Sequence, residues 1–454
     1  MSLFSLLGGT ARALDAQRYG LDVVGNNLAN VNTAGYTRRV IDFGAVPPAD
    51  RFSAGNGVEV LGVRAQRDRL FDQRLFDELP LAERQAAMLD TLALAEVSLG
   101  GPGASLDDAL ANFFDAFAAL ADTPTLATAR DRVVSDAQAL VSSFQSLSGR
   151  LSASEQAADA RVRNELERLN GLTSRLASLN GAVSAEPAGG PLHLRDEQVA
   201  VTAEIASILG VQVLELADGA FQVATESGRP LVIGPNAYPL TASSVPPSGY
   251  AAVMSNGVNV TAEITTGSLG GYLAVRDQLI PTYRAQLDTI AFDVATAVNT
   301  VHATGFDLGG APGGDFFTPL GGVAGAASAL QVRGAIVDDP TKIAAAGTAS
   351  SGDNGVARQL ANLRDAPVSG GRTPADAWTG LVYRVGSDVQ QATRELDSRR
   401  EIVHQVETLR DSVSGVSIDE EAALMMRFQR AYEANARFFT VIDEVLQTLL
   451  ALKR

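Results

Sequence analysis

The sequence predicts a multidomain α+β protein: terminal helices paired as a coiled coil, a mainly helical rod domain, and a small inserted β domain. Three observations predict it. Leucines recur every seven residues near the N-terminus, a 4,3 apolar alternation fills the C-terminus, and the only sustained β-type texture lies mid-chain. At 454 residues and 46% hydrophobic, the chain is long enough for several folded domains. The predicted division is a terminal coiled-coil domain of residues 1–40 plus 414–454, a helical rod domain of 41–210 plus 267–413, and an inserted β-rich domain of 211–266.

The first helix rests on Leu7, Leu14, Leu21 and Leu28, seven apart, with Leu3, Thr10, Gln17, Val24 and Val31 at the companion positions. That is a heptad seam. The only charges before Arg38 are Arg12, Asp15, Arg18 and Asp22, and none falls on it. The other positions carry Gly8, Gly9, Gly20, Gly25, alanines, Asn26, Asn27 and Asn30. Asparagine is a poor helix former, so these amides need a reason. Small residues admit a close backbone, and amides form hydrogen bonds without the desolvation cost of a charge. The outer face is therefore read as fitted to protein neighbours. Asn32 and Gly35 supply the stop, Gly35 by taking the left-handed conformation.

The last helix begins at a capping box, Ser417 with Glu420. Its seam is Leu424, Phe428, Ala431, Asn435, Phe438, Ile442, Val445, Leu449 and Leu452. None of the ten charged residues from Glu420 to Arg454 falls on these positions, which marks the seam as apolar. Asn435 is the lone polar member and can fix register at some cost in stability. Two seam helices at opposite ends of one chain are natural partners, and pairing them makes everything between a long insertion.

Between them, 81–180 is helical in pattern, with "DALANFFDAFAALAD" amphipathic and Val162, Leu166, Leu169, Leu172, Leu176 and Leu179 in a further stripe. After a break at 184–191 and a short helix to about Gly210, β-rich runs are separated by Asp218-Gly219 and Ser227-Gly228, read as hairpin turns. Helix returns from "YLAVRDQL", a Gly-rich loop "GFDLGGAPGGDFF" follows, 320–375 is less regular, and a long helix runs from about Trp378 to Val413.

Chemistry is not legible. The net charge of −16 argues against nucleic acid and anionic membrane as partners. No run has the apolar length of a transmembrane helix, and "MSLFSLLGG" has neither the basic leader nor the apolar length of a secretory signal. There is no cysteine, which suits an exported protein, and His193, His302 and His404 stand far apart with no ligand spacing. "GGAPGGDFF" is not followed by Gly-Lys-Ser/Thr, and no nucleophile elbow occurs. No catalytic, cofactor-binding or metal-binding residue is predicted, no cofactor is expected, and the chain is read as not an enzyme.

"LDVVGNNLANVNTAGYTRR" resembles the N-terminal motif of the bacterial flagellar rod, hook and hook-associated subunits, with Ala34 where many relatives carry proline. "SGVSIDEEAALMMRFQRAYEANARFFTVIDEVLQTLL" is similar to the C-terminus of the hook-associated branch. Arg427-Phe428-Gln429 with Ala431-Tyr432 sets it apart from hook and rod subunits, and "GSLGGYLAVRD" and "HATGFDLGGAPGGDFF" agree. The resemblance implies an axial structural protein at the hook–filament junction, exported by the flagellar type III apparatus and lying outside the cell once assembled. Its implied partners are further copies of itself in a ring or short tube, the hook protein on one side, and a second junction protein and the filament on the other. A cytoplasmic export chaperone would hold the C-terminal helix before secretion. The terminal domain would form the inner tube, with the β-rich domain outermost.

The expected assembly residues are Leu7, Leu14, Leu21, Val24, Asn26, Asn27, Leu28, Asn30 and Val31 in the first helix. In the last they are Leu424, Phe428, Ala431, Asn435, Phe438, Ile442, Val445 and Leu449. The alternatives are a hook or distal-rod subunit of the same axial family, or an axial protein whose inserted domain is enzymatic or adhesive.

Overall fold

The computed structural model describes residues 3–33, 35–47, 55–100, 106–185, 191–246 and 249–452. In chain order the elements begin with α1 (Leu3–Ala29), β1 (Arg39–Ala45), β2 (Val58–Ala65), α2 (Arg69–Gly100), α3 (Leu106–Asp122), α4 (Ala127–Ser184) and α5 (Leu192–Ile208). Seven strands follow: β3 (Val211–Glu215), β4 (Phe221–Thr225), β5 (Pro230–Ile233), β6 (Asn236–Ala237), β7 (Leu240–Ser244), β8 (Ala251–Ser255) and β9 (Val258–Asn259). Then come α6 (Gly267–Ala274), a π-helical turn at Val275–Leu279, α7 (Ile280–His302), α8 (Ala326–Ala329), α9 (Gly334–Asp338), α10 (Gly355–Asn362), α11 (Pro374–Ser414) and α12 (Ile418–Ala451). The class is the α+β arrangement expected, with long terminal helices and small sheets.

The chain divides into two compact units, 1–79 with 169–239 and 400–454, and 80–168 with 240–399. In the first, α1 lies against α12 and against the β1–β2 hairpin. This hairpin falls where a helical domain was expected from residue 41. Its strands are antiparallel, Arg39↔Ala65 to Ala45↔Val58, with a bulge where Asp42 pairs Gly62 and Phe43 pairs Val60. The bulged residue is Leu61, whose side chain lies across Gly44. One extra residue reverses the alternation of faces, so the period-two signature is lost from the sequence. At the hairpin's far end Gly57 has φ +94, and a Cβ there would stand 2.9 Å from the Gly9 carbonyl oxygen. Arg12 of α1 donates to the Asn56 carbonyl at 3.1 Å.

The stretch 211–266 carries two separate sheets rather than one domain. The β3–β4–β5–β6 sheet belongs to the first unit and the β7–β8–β9 sheet to the second. Each has its own polar anchor on α4. Buried Asn180 of α4 donates to the Phe221 and Gly234 carbonyls and accepts the Phe221 N–H. In the second unit Asp159, also of α4, accepts the Ala251 N–H at 2.7 Å and pairs with buried Arg276 at 2.7 Å. Arg276 sits in the π-helical turn.

The second unit holds the larger apolar core. Phe113, Phe114 and Phe117 of α3 are fully buried, and Phe113 and Phe117 meet Phe316 from the Gly-rich loop, with Phe113–Phe317 centroids 5.7 Å apart. Buried His302 fastens that loop. Its Nδ1 lies 2.6 Å from the Gly314 carbonyl, and its Nε2 accepts the Ala344 N–H at 2.8 Å. That pairing requires the neutral ring with its proton on Nδ1, and burial pushes the His302 pKa down. The glycine-rich run that resembles a phosphate loop in composition is thus a loop pinned to the core by His302, Phe316 and Phe317.

Candidate assembly interface

Two contacts fix the direction of the terminal pair. Asn27 meets Glu421, and Gly20 meets Phe428, so α1 and α12 run antiparallel. Gly20 is required here, because a Cβ would stand 2.8 Å from the Phe428 ring. Phe428 is buried with Val24 and Ile41, and Leu21, Val60, Leu424 and Met425 pack around them. Phe43 of the hairpin adds a tilted ring contact at 6.2 Å.

The base of the pair is polar. Asn27 is 1% exposed, and its Nδ2 donates to the Arg39 carbonyl at 2.9 Å and to Glu421 Oε2 at 3.0 Å. Its Oδ1 accepts from the Arg39 N–H at 3.0 Å and the Tyr36 hydroxyl at 2.8 Å. Glu421 is fully buried and accepts from Arg38 Nε at 2.8 Å through its other oxygen. Arg38 reaches Glu420 as well, at 2.7 Å. Next to this cluster Arg39 pairs with Asp196 of α5 at 3.1 Å and lies over the Tyr36 ring. Burial raises the Tyr36 phenol and the Asp196 carboxyl, the latter opposed by a hydrogen bond from Thr37.

Sequence reasoning assigned Asn27 to the outward face. The structure places it inside, with its whole hydrogen-bonding capacity used by its own chain. The buried line of α1 is Thr10, Ala16, Gly20, Val24 and Asn27, while Leu7, Leu14, Leu21, Leu28 and Val31 are half-buried. The stripe is rotated off the leucines because the Phe428 ring needs a glycine beneath it. Asn26 is exposed and receives the Tyr36 hydroxyl, and Asn30 donates back to the Asn26 carbonyl.

On α12, Phe428 and Ile442 are buried; Leu424, Ala431 and Asn435 are half-buried. Phe438 is 49% exposed, Val445 44%, Leu449 50% and Leu452 78%, so this line of the seam lies open although Ile442 is buried. Arg38, Tyr36 and Glu421 were not singled out. For Glu421 a signal existed: it stands three residues before Leu424, on the seam's own extension.

Among the described residues, no three His, Asp or Glu side chains stand close enough to hold a metal ion, and no helix is long and apolar enough to cross a membrane.

Residues 92–317 match the flagellar hook-associated protein FlgK helical domain. Residues 10–37 match the flagella basal body rod protein family, and 410–452 the flagellar basal body rod FlgEFG protein C-terminal family. Flagellar hook-associated protein 1 of Bacillus subtilis (strain 168) is 28% identical over 99% of this chain and 98% of its own. That of Escherichia coli (strain K12) is 24% identical over 99% and 100%. The chain belongs to the flagellar hook-associated protein 1 family. This is a family of structural proteins of the bacterial flagellum. The flagellar hook junction protein FlgK from Burkholderia pseudomallei shares the fold, with a TM-score of 0.68 at 16% identity over 75% of this chain and 100% of that one. The rod-family matches fall on α1 and α12, the helices that carry the buried polar cluster. The hook-associated match falls on the helical and β elements between them.

Proposed function

We propose that this flagellar subunit forms the junction between hook and filament by packing its terminal helices against those of neighbouring copies. The observation that carries this is the open apolar line of α12, in which Phe438, Val445, Leu449 and Leu452 are largely exposed in the single chain. Apolar surface of that extent marks an interaction site. Residues 1–40 and 414–454 form the inner tube in this reading, and the rest of the chain stands outward. Assembly residues are those of the two seams, with Asn26 and Asn30 facing neighbours and Asn27 serving the subunit's own pair. The chain crosses the envelope through the flagellar type III apparatus, with a chaperone covering α12 beforehand. It meets the hook protein on one side and a second junction protein and the filament on the other, and carries out no catalysis.

The test is Phe438→Asp in a motile strain. Secreted, folded protein, hooks without filaments and filament subunits in the medium are the expected result. Asp218→Ala, at an exposed turn of the β3–β4 hairpin, should leave filaments intact. Normal filaments with Phe438→Asp would place the interface elsewhere.

A further inference from the structure

We propose that the buried cluster of Asn27, Arg38 and Glu421 is a register lock. It fixes where α1 is seated along α12, and so how much of α12 is left free. The functional meaning of the free part rests on the assembly reading above; the lock itself does not.

The contacts Asn27–Glu421 and Gly20–Phe428 are seven residues apart on each helix, so the pairing is in step along the antiparallel pair. Carried on, this register puts Gln17 opposite Ala431 and Leu3, the first residue of α1, opposite Val445. The end of α12 therefore runs past α1. Apolar spacing alone does not choose this arrangement, because a seam repeating every seven residues is satisfied again one heptad along. Sliding by one heptad would set Gly20 against Asn435, and Leu449 and Leu452 against Leu6 and Leu3. Those last two seam leucines are 50% and 78% exposed in the observed register. Burial of these two leucines favours the slide, while the seat of Phe428 on Gly20 resists it.

The polar cluster opposes it. Asn27 has both donors and both acceptor sites filled, and both Glu421 oxygens are bonded in a fully buried position. One heptad of movement would bring Phe428 to Asn27 and take Glu421 away from Arg38. The buried Glu421 carboxylate would then be orphaned and one Asn27 N–H left without its acceptor, a costly outcome for such groups. A polar group in an apolar seam is a known way to fix register. Arg38 also holds Glu420, so it keeps a partner when Glu421 is replaced by an apolar residue.

The chain has no cysteine, so introduced pairs report register directly. Gln17→Cys with Ala431→Cys reads the observed register, and Gln17→Cys with Phe438→Cys reads the slide. Each pair is oxidised in dilute soluble protein in three backgrounds: otherwise unaltered, Glu421→Gln, and Asn27→Leu/Glu421→Leu. Intramolecular links are scored by non-reducing gel and peptide mapping. The observed-register link should dominate in the unaltered chain, and by a narrower margin in Glu421→Gln, whose single amide oxygen serves one of the two donors, Asn27 Nδ2 or Arg38 Nε. In the double leucine variant the ratio should move toward the slid link by about tenfold or more. An unchanged ratio there overturns the lock. So does loss of both links, which would mean the cluster holds the helices together without choosing their register. Because the read-out needs no filament, a failed lock and a failed assembly reading are told apart.

Discussion

Phe428 and Phe438 lie ten residues apart on one helix and do different work. Phe428 is 7% exposed and rests on Gly20, whereas Phe438 is half in solvent. Phe428→Ala should therefore cost about 3–5 kcal/mol in the stability of the terminal pair. Phe438→Ala should cost under about 1.5 kcal/mol in the free subunit and still impair filament formation. Hydrogen exchange of α1 and α12 amides measures the first, and swimming in soft agar the second. His302 makes a prediction in pH. Burial depresses its pKa in the folded state, against a weaker favourable influence of Asp315 and with Arg130 acting in the same sense as burial. A depressed folded pKa gives stability that is complete above the unfolded value of about 6.5 and is lost as pH falls below it. The melting temperature should fall between pH 7.5 and 5, and His302→Gln should flatten that slope while lowering the value at pH 7.5. At this scale the sequence was only half legible. Asn27 and Glu421 are 394 positions apart, and a motif shows that an amide is unusual without showing which distant carboxylate answers it.

At the scale of elements, periodicity was a good guide wherever an element buries one clean stripe. Ser417 caps α12 through the Glu420 N–H, and α11 spans Pro374–Ser414 around the predicted core of that helix. The β1–β2 hairpin escaped because Leu61 is a bulge, and bulges erase the period that strands are found by. The terminal helices bury few residues for their length. Elements with sparse apolar contacts open most readily, and helices hold little stability of their own. Limited proteolysis of dilute monomer should therefore cut within residues 1 to about 35 and from about 418 onward before it cuts α4 or α7. Equal resistance everywhere would show that the terminal pair opens no more readily than the core.

For the whole molecule, composition and the two ends were enough to reach the fold class and the family, because the terminal helices carry long seams and motifs that are local in sequence. The interior division was not legible. The β texture of 211–266 is continuous in sequence, yet Asn180 holds one sheet and Asp159 with Arg276 the other. The two anchors should fail independently. Asp159→Ala leaves buried Arg276 without its buried partner, and breaking such a pair costs about 3–5 kcal/mol. Protection of 251–255 should collapse while that of 221–225 persists, and Asn180→Ala should give the reverse. Both follow from hydrogen exchange read by mass spectrometry.

The meeting of Gly9 with Gly57 has a mechanical meaning. Backbone touches backbone there, with no rotamer to yield, so pushing α1 toward the hairpin tip meets a hard stop. Separation at this end is resisted by one exposed guanidinium grip, Arg12 on the Asn56 carbonyl, while Val24 and Leu21 seated on Ile41 and Val60 hold the hairpin's other end. At this end the joint is stiff in compression and soft in tension, a one-way strut beside the terminal helices.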